Sequence, residues 1–191
     1  RMEWGYALVK LNKLALPVDG CQNVTIKNCT ITLNKYLTTT TWTTCYGIYS
    51  GNHLYNETVN INLNTLLGTT SDIMNNAKFF GNTISNVTGG IYLNGYNGPY
   101  GLLDNNTEIG VENGNTITNF SQYGIWSRNC KALIVANNNM TSITYPQSTS
   151  YGIYTQTVGG SDVYNNTVTI QPLGGTVVYV GSAIDYSDLG T

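Results

Sequence analysis

The chain has 191 residues, with 8 Lys and Arg against 10 Asp and Glu and a formal net charge of −2. That balance gives no electrostatic case for nucleic acid or an anionic membrane surface, and no apolar run approaches the ~18 residues of a membrane helix, so no membrane insertion is expected. Only 9% of residues are charged while 41% are hydrophobic and 15 are tyrosine, so the chain is too apolar for simple disorder and its polar surface must be Asn, Thr, Ser and Tyr.

A two-part unit recurs in chain order. Asn28-Cys29-Thr30-Ile31-Thr32-Leu33 leads to Tyr46-Gly47-Ile48-Tyr49, and Gly81-Asn82-Thr83-Ile84-Ser85-Asn86-Val87 leads to Gly89-Gly90-Ile91-Tyr92. Gly114-Asn115-Thr116-Ile117-Thr118-Asn119-Phe120 leads to Tyr123-Gly124-Ile125-Trp126. Asn137-Asn138-Asn139-Met140-Thr141-Ser142-Ile143 leads to Tyr151-Gly152-Ile153-Tyr154, and Asn165-Asn166-Thr167-Val168-Thr169-Ile170 leads to the weaker Ser182-Ala183-Ile184-Asp185. The aligned polar positions 30, 83, 116, 139 and 167 are spaced by roughly 23 to 34 residues outside one long gap, which indicates a solenoid.

The apolar runs are short, β-branched and alternating, with no period of 3.6. Val24 and Ile26, Ile31 and Leu33, Val59 and Ile61, and Val168 and Ile170 each place two apolar side chains on one face of a strand. Asn and Gly punctuate them, and both tolerate the left-handed backbone of a sharp corner. Short strands joined by bends cannot bury an inner face alone. Stacking the next coil at about 4.8 Å supplies hydrogen-bond partners and continues the core. The expected fold is all-β, a right-handed parallel β-helix of about five to six coils with two loop insertions.

In chain order, Tyr6 to Leu11 reads as a strand of a preceding partial coil, and 21–50 as the first clear coil with a threonine-rich bend at 38–44. Residues 51–75 are a long insertion, either an extra coil or a side hairpin. The pattern resumes at 76–95, leaves again at 96–113, and continues through coils at 114–130, 131–157 and 161–186. With no linker, 1–191 reads as one domain. The lack of terminal caps suggests an excerpt of a longer chain.

The Asn-x-Thr-Ile then Gly-Ile-Tyr grammar resembles the repeat of pectate-lyase-like parallel β-helix proteins over about residues 20–185. The longer phrase from Asn82 through Gly90-Ile91-Tyr92-Leu93, Gly95-Tyr96, Pro99-Tyr100, Glu108-Ile109-Gly110 and Gly114-Asn115-Thr116-Ile117 resembles repeat segments of large secreted surface proteins of Bacteroidetes-type bacteria. The resemblance implies a secreted or cell-surface location. It does not fix a function, because this architecture hosts lyases, hydrolases, epimerases, tailspikes and adhesins.

Several residue sets offer chemistry. If Ile faces inward in Tyr-Gly-Ile-Tyr, then Tyr49, Tyr92, Trp126 and Tyr154 form an outward aromatic ladder beside a trough of glycines. Such a ladder is a platform for glycans or a surface partner, or simply a stack that stabilises the sheet. Asp104, Glu108 and Glu112 are hard oxygen ligands for calcium, without the full loop signature of a calcium hand. No other cofactor is expected. For catalysis, Asp72, Asp104, Asp162 and Asp185 are scattered, and Arg128 with Lys131 is the one internal basic pair, to be brought beside Asp104 or Asp162 only by coil stacking.

His53 reads as a loop residue. Cys21, Cys29, Cys45 and Cys130 fit no metal spacing and read as free thiols, with one disulfide among the first three as the alternative. Asn-x-Thr triplets at Asn23, Asn86 and Asn165 match glycosylation acceptors but read first as corners. The expectation is a non-catalytic structural or adhesive segment. The alternatives are a fragment of a polysaccharide-active enzyme and a module that self-associates through its solenoid ends.

Overall fold

The computed structural model describes residues 2–10, 19–35, 44–54, 69, 71–97, 100–142, 150–171 and 183–185. Among the described residues seventeen strands follow one another: β1 (Met2–Lys10), β2 (Thr25–Lys27), β3 (Thr30–Thr32), β4 (Thr44–Leu54), β5 (Lys78–Phe80), β6 (Thr83–Ser85), β7 (Gly89–Asn94), β8 (Asp104–Asn105), β9 (Glu108–Ile109), β10 (Thr116–Thr118), β11 (Tyr123–Lys131), β12 (Ile134–Ala136), β13 (Asn139–Ser142), β14 (Tyr151–Gly159), β15 (Asp162–Tyr164), β16 (Thr167–Ile170) and β17 (Ala183–Asp185). They form three parallel sheets. The first runs β1-β4-β7-β11-β14-β17 with β8 beside β11, the second β2-β5-β9-β12-β15, and the third β3-β6-β10-β13-β16. The chain visits the second, third and first sheets in turn, giving five complete coils plus β1 as a further rung. This is a parallel β-helix.

Five of the three-residue strands, β2, β3, β5, β6 and β10, bury only their middle side chain, as a period of two requires: Ile26, Ile31, Phe79, Ile84 and Ile117 point inward between exposed or half-buried neighbours. The inner residues of all three sheets form one continuous cluster that includes Ile48, Ile91, Ile125 and Ile153 from the first sheet. Stacking is residue on residue, with Ile31, Ile84 and Ile117 in register along the third sheet.

The corners are built by left-handed residues. Asn23, Asn76 and Asn106 turn the chain from the first sheet into the second, with φ of 54°, 55° and 53°, followed in the same row by Ala132 at 48° and Gly160 at 59°. Asparagine reaches this region more cheaply than other non-glycine residues. The triplet asparagines Asn23, Asn86 and Asn165 are all such corners.

The long insertion adds no rung to the stack. β2 pairs directly with β5, β3 with β6 and β4 with β7, so the strands on either side of it are neighbours. Residues 55–68, including the expected strand around Val59 and Ile61, lie outside the described residues. The second excursion is shorter than its sequence suggests. A single 3-10 turn at Tyr100–Leu102 precedes β8, and Glu108 and Ile109 already lie in the second sheet beside Lys78 and Phe79.

Candidate functional site

The aromatic ladder forms on the outer side of the first sheet, where Tyr49 pairs in register with Tyr92, Tyr92 with Trp126 and Trp126 with Tyr154. Tyr92 and Trp126 stack at 4.2 Å and 7°, and Trp126 and Tyr154 at 6.2 Å and 6°. Tyr46 widens the row, lying 4.3 Å from Tyr92, and Trp4 caps it at 5.1 Å from Tyr49. The rings make a second apolar cluster, separate from the solenoid core. They are not an open platform: Tyr49 is fully buried, Tyr92 is 6% exposed and Trp126 7%, while Tyr154 is half-buried. Burial pushes the Tyr49 hydroxyl up to about 12 and raises Tyr46 and Tyr92 as well. The Tyr49 hydroxyl itself is buried without a hydrogen-bond partner.

The glycines beside these rings face the other way from expectation. A Cβ on Gly90 would lie 2.5 Å from both Ile117 Cγ2 and the Gly124 carbonyl oxygen, and one on Gly124 would lie 2.7 Å from Met140 Sδ. Strict alternation breaks in Tyr-Gly-Ile-Tyr, with both Gly and Ile turned toward the core. The glycine row is therefore a close approach between the first and third sheets and no outer trough.

The three acids considered for calcium do not converge. Asp104 is buried in the solenoid, where it accepts from the Met74 amide at 2.9 Å and faces Lys10 Nζ at 3.6 Å. Glu108 and Glu112 lie outside, at 3.2 and 3.9 Å from Lys78 Nζ. Among the described residues no group of three His, Cys, Asp or Glu is arranged to hold a metal ion.

The catalytic candidates are dispersed as well. Asp72 is buried in its own turn, accepting from the Thr69 amide and hydroxyl at 2.9 Å. Asp162 is exposed on the second sheet, and the Asp185 side chain lies outside the described residues. Arg128 is paired with neither Asp104 nor Asp162, and its Nε is buried without a hydrogen-bond partner. Lys131 reaches the Gly101 carbonyl at 3.5 Å. His53 is no loop residue: it lies in β4, buried and tilted against Tyr49 at 5.7 Å. All four cysteines are unpaired, with Cys45 and Cys130 buried; burial pushes the Cys130 thiol up to about 12.

Two asparagine ladders emerge that the sequence reading did not separate. The inner one runs along Asn82, Asn115, Asn138 and Asn166, each Nδ2 donating to the next Oδ1 at 2.8–2.9 Å. Each amide also donates to a backbone carbonyl: Asn82 to Ile26, Asn115 to Phe79, Asn138 to Ile109 and Asn166 to Val135. Cys29 occupies the first position of this row, where its backbone amide donates to Asn82 Oδ1 at 3.0 Å. Beside the third corner, buried Lys35 donates to the carbonyl and Oδ1 of Asn119 at 2.7 and 2.8 Å, and burial lowers its ammonium to about 8.

The outer ladder is the corner row. Asn76 donates to Asn23 at 3.0 Å and Asn106 to Asn76 at 3.2 Å; Asn23 and Asn106 are exposed and Asn76 half-buried. It stops at Ala132 and Gly160. A groove of about 650 Å³ runs along this whole row on the outer face of the second sheet, bordered by Asn23, Asn76, Asn106, Ala132 and Gly160. Its floor is the row Thr25, Lys78, Glu108, Ile134 and Asp162, in register strand by strand. No family model matches the sequence, no curated protein matches it, and no solved structure matches it.

Proposed function

We propose that this chain is a structural solenoid segment of a secreted, cell-surface protein, non-catalytic in itself and carrying a recognition surface on its outside. One observation carries the reading: Asp104, Glu108, Asp72 and Lys35, groups that would be reactive elsewhere, are engaged within the fold itself. Asp104 is tied to Lys10 and Met74, Glu108 to Lys78, Asp72 to its own turn and Lys35 to Asn119. The aromatic row supports the same reading, because its rings are spent on packing between coils. The resemblance of the repeat grammar to large exported surface proteins supports the location.

Incubation of the folded protein with neutral and uronic-acid polysaccharides tests the chemistry. The expected result is no new reducing ends and no unsaturated uronate products; release of either would overturn the non-catalytic reading. Protease treatment of intact source cells tests the location. Fragments of this segment should be released from the surface, and full protection from protease would contradict it.

A further inference from the structure

We infer that Lys10 and Asp104 condense to a self-formed isopeptide bond, Nζ to Cγ, that staples the first rung of the solenoid to the third. The inference goes beyond the reading above and holds wherever the segment is displayed, because the bond forms within one chain and acts on no outside substrate.

The pair is well placed for a bond and badly built for an ion pair. Lys10 ends β1, the first rung, and Asp104 opens β8 in the coil that carries β7; β4 lies between those rungs. Both side chains are nearly sealed from water, at 4% and 2% exposure, and Nζ lies 3.6 Å from Oδ1. An N–H···O hydrogen bond spans about 2.7–3.2 Å. The ammonium therefore makes none to the carboxylate, and among the described residues Asp104 is its one side-chain partner. Lys35 is the contrast. It is buried too, yet its Nζ donates twice to Asn119, at 2.7 and 2.8 Å. A buried charge without hydrogen bonds is costly, and condensation removes both charges at once.

The surroundings suit the chemistry. Asp104 stands in register with Cys130, and Cys130 and Met74 belong to the solenoid core. A Cβ on Gly95 would lie 3.1 Å from both Cγ and Oδ2 of Asp104, so only a glycine backbone fits against the carboxyl on that side. Met74 donates its amide to Oδ1 at 2.9 Å. In the reaction, a proton passes from the Lys10 ammonium to the Asp104 carboxylate and leaves a neutral amine and acid. The amine lone pair attacks Cγ. Charge gathers on Oδ1, where the Met74 amide already stands as a donor. Oδ2, carrying the acid proton, takes one more from the nitrogen and departs as water. One C–N bond forms and one C–O bond breaks, with no oxidant and no cofactor. Exclusion of water from the core then protects the amide from the reverse reaction.

Intact mass spectrometry of the full chain tests the bond. The folded protein should weigh one water less than its sequence. Digestion after denaturation should yield a branched peptide that joins the Lys10 and Asp104 segments. Lys10→Arg keeps the positive charge without the amine, and it should restore the full mass. A wild-type protein at its full sequence mass, with Lys10 and Asp104 recovered in separate linear peptides, would overturn the inference. So would a water loss that maps to another pair or survives in Lys10→Arg. The wild-type masses and peptides decide the matter even where the variant does not fold. They are also independent of the polysaccharide digests and of protease release from cells, so the bond and the structural reading fail separately.

Discussion

The inner and outer asparagine ladders use the same side chain at the same coil spacing, and they do different work. Inside, Asn82, Asn115 and Asn138 are sealed from water and each Nδ2 satisfies a backbone carbonyl as well as the next amide. Outside, Asn23, Asn76 and Asn106 bond only to one another through their side chains, with Asn23 and Asn106 exposed and Asn76 half-buried. A buried amide left without its partner has no water to fall back on, whereas an exposed one does. The inner row continues unbroken from Asn82 to Asn166; the outer one ends at Ala132 and Gly160 without disturbing the stack. Repetition that is buried is constrained by folding, and repetition at the surface is free to vary.

Burial should decide the size of every perturbation. The largest loss is expected from Trp126→Ala, which removes a ring stacked between Tyr92 and Tyr154. About 3–5 kcal/mol should disappear from denaturant unfolding, and a loss below 1 would mean the row is not packing. Asn115→Ala comes next. It strands the Asn82 amide and the Phe79 carbonyl, and about 3 kcal/mol should be lost in the same measurement.

A pH series probes the buried ionisable groups. Tyr49 is raised from 10.0 to about 12, so its contribution is complete below pH 10 and is lost as pH rises from 10 to 12. Lys35 has the opposite sign. Its ammonium falls from 10.5 to about 8, so between those values the unfolded chain holds a proton that the fold does not, and stability rises across the window. Melting temperatures of wild type and Lys35→Met should therefore diverge in favour of wild type between pH 8 and 10.5, and both should fall beyond it. A constant difference would show that Lys35 is not buried as described. The smallest effect belongs to Asn76→Ala in the outer ladder, below about 1 kcal/mol; a loss matching Asn115→Ala would erase the distinction between the rows.

Much of the fold was legible because a solenoid writes its core into the sequence as a repeat. Five copies of the unit gave the strands and their order. The strand around Tyr6 reads as part of a preceding coil, but Trp4-Gly5-Tyr6-Ala7 is not recognisable as a sixth copy because Tyr and Ala stand in place of Ile and the aromatic; Tyr6 pairs with Ile48 and Ala7 with Tyr49. The acidic stretch around Asp104 read as a loop because its charges drew the eye. The usable signal was the spacing of Asn23, Asn76 and Asn106 three residues before the core positions Ile26, Phe79 and Ile109.

Burial of the aromatic row was not legible. Alternation tells which side of a sheet a ring occupies, but not what lies over that side. The inward turn of the glycines was hidden for a related reason, since it depends on a break in alternation that only contact with Ile117 or Met140 reveals.

Side-chain amide hydrogen exchange, followed by NMR, tests the difference between the two ladders most directly. The Nδ2 hydrogens of Asn82, Asn115 and Asn138 should exchange only with global unfolding, as slowly as the slowest strand amides. Those of Asn76 and Asn106 should exchange at close to the rate of a free side chain. Equal rates in the two rows, or fast exchange at Asn115 in the folded protein, would contradict a solenoid held together from within by its asparagines.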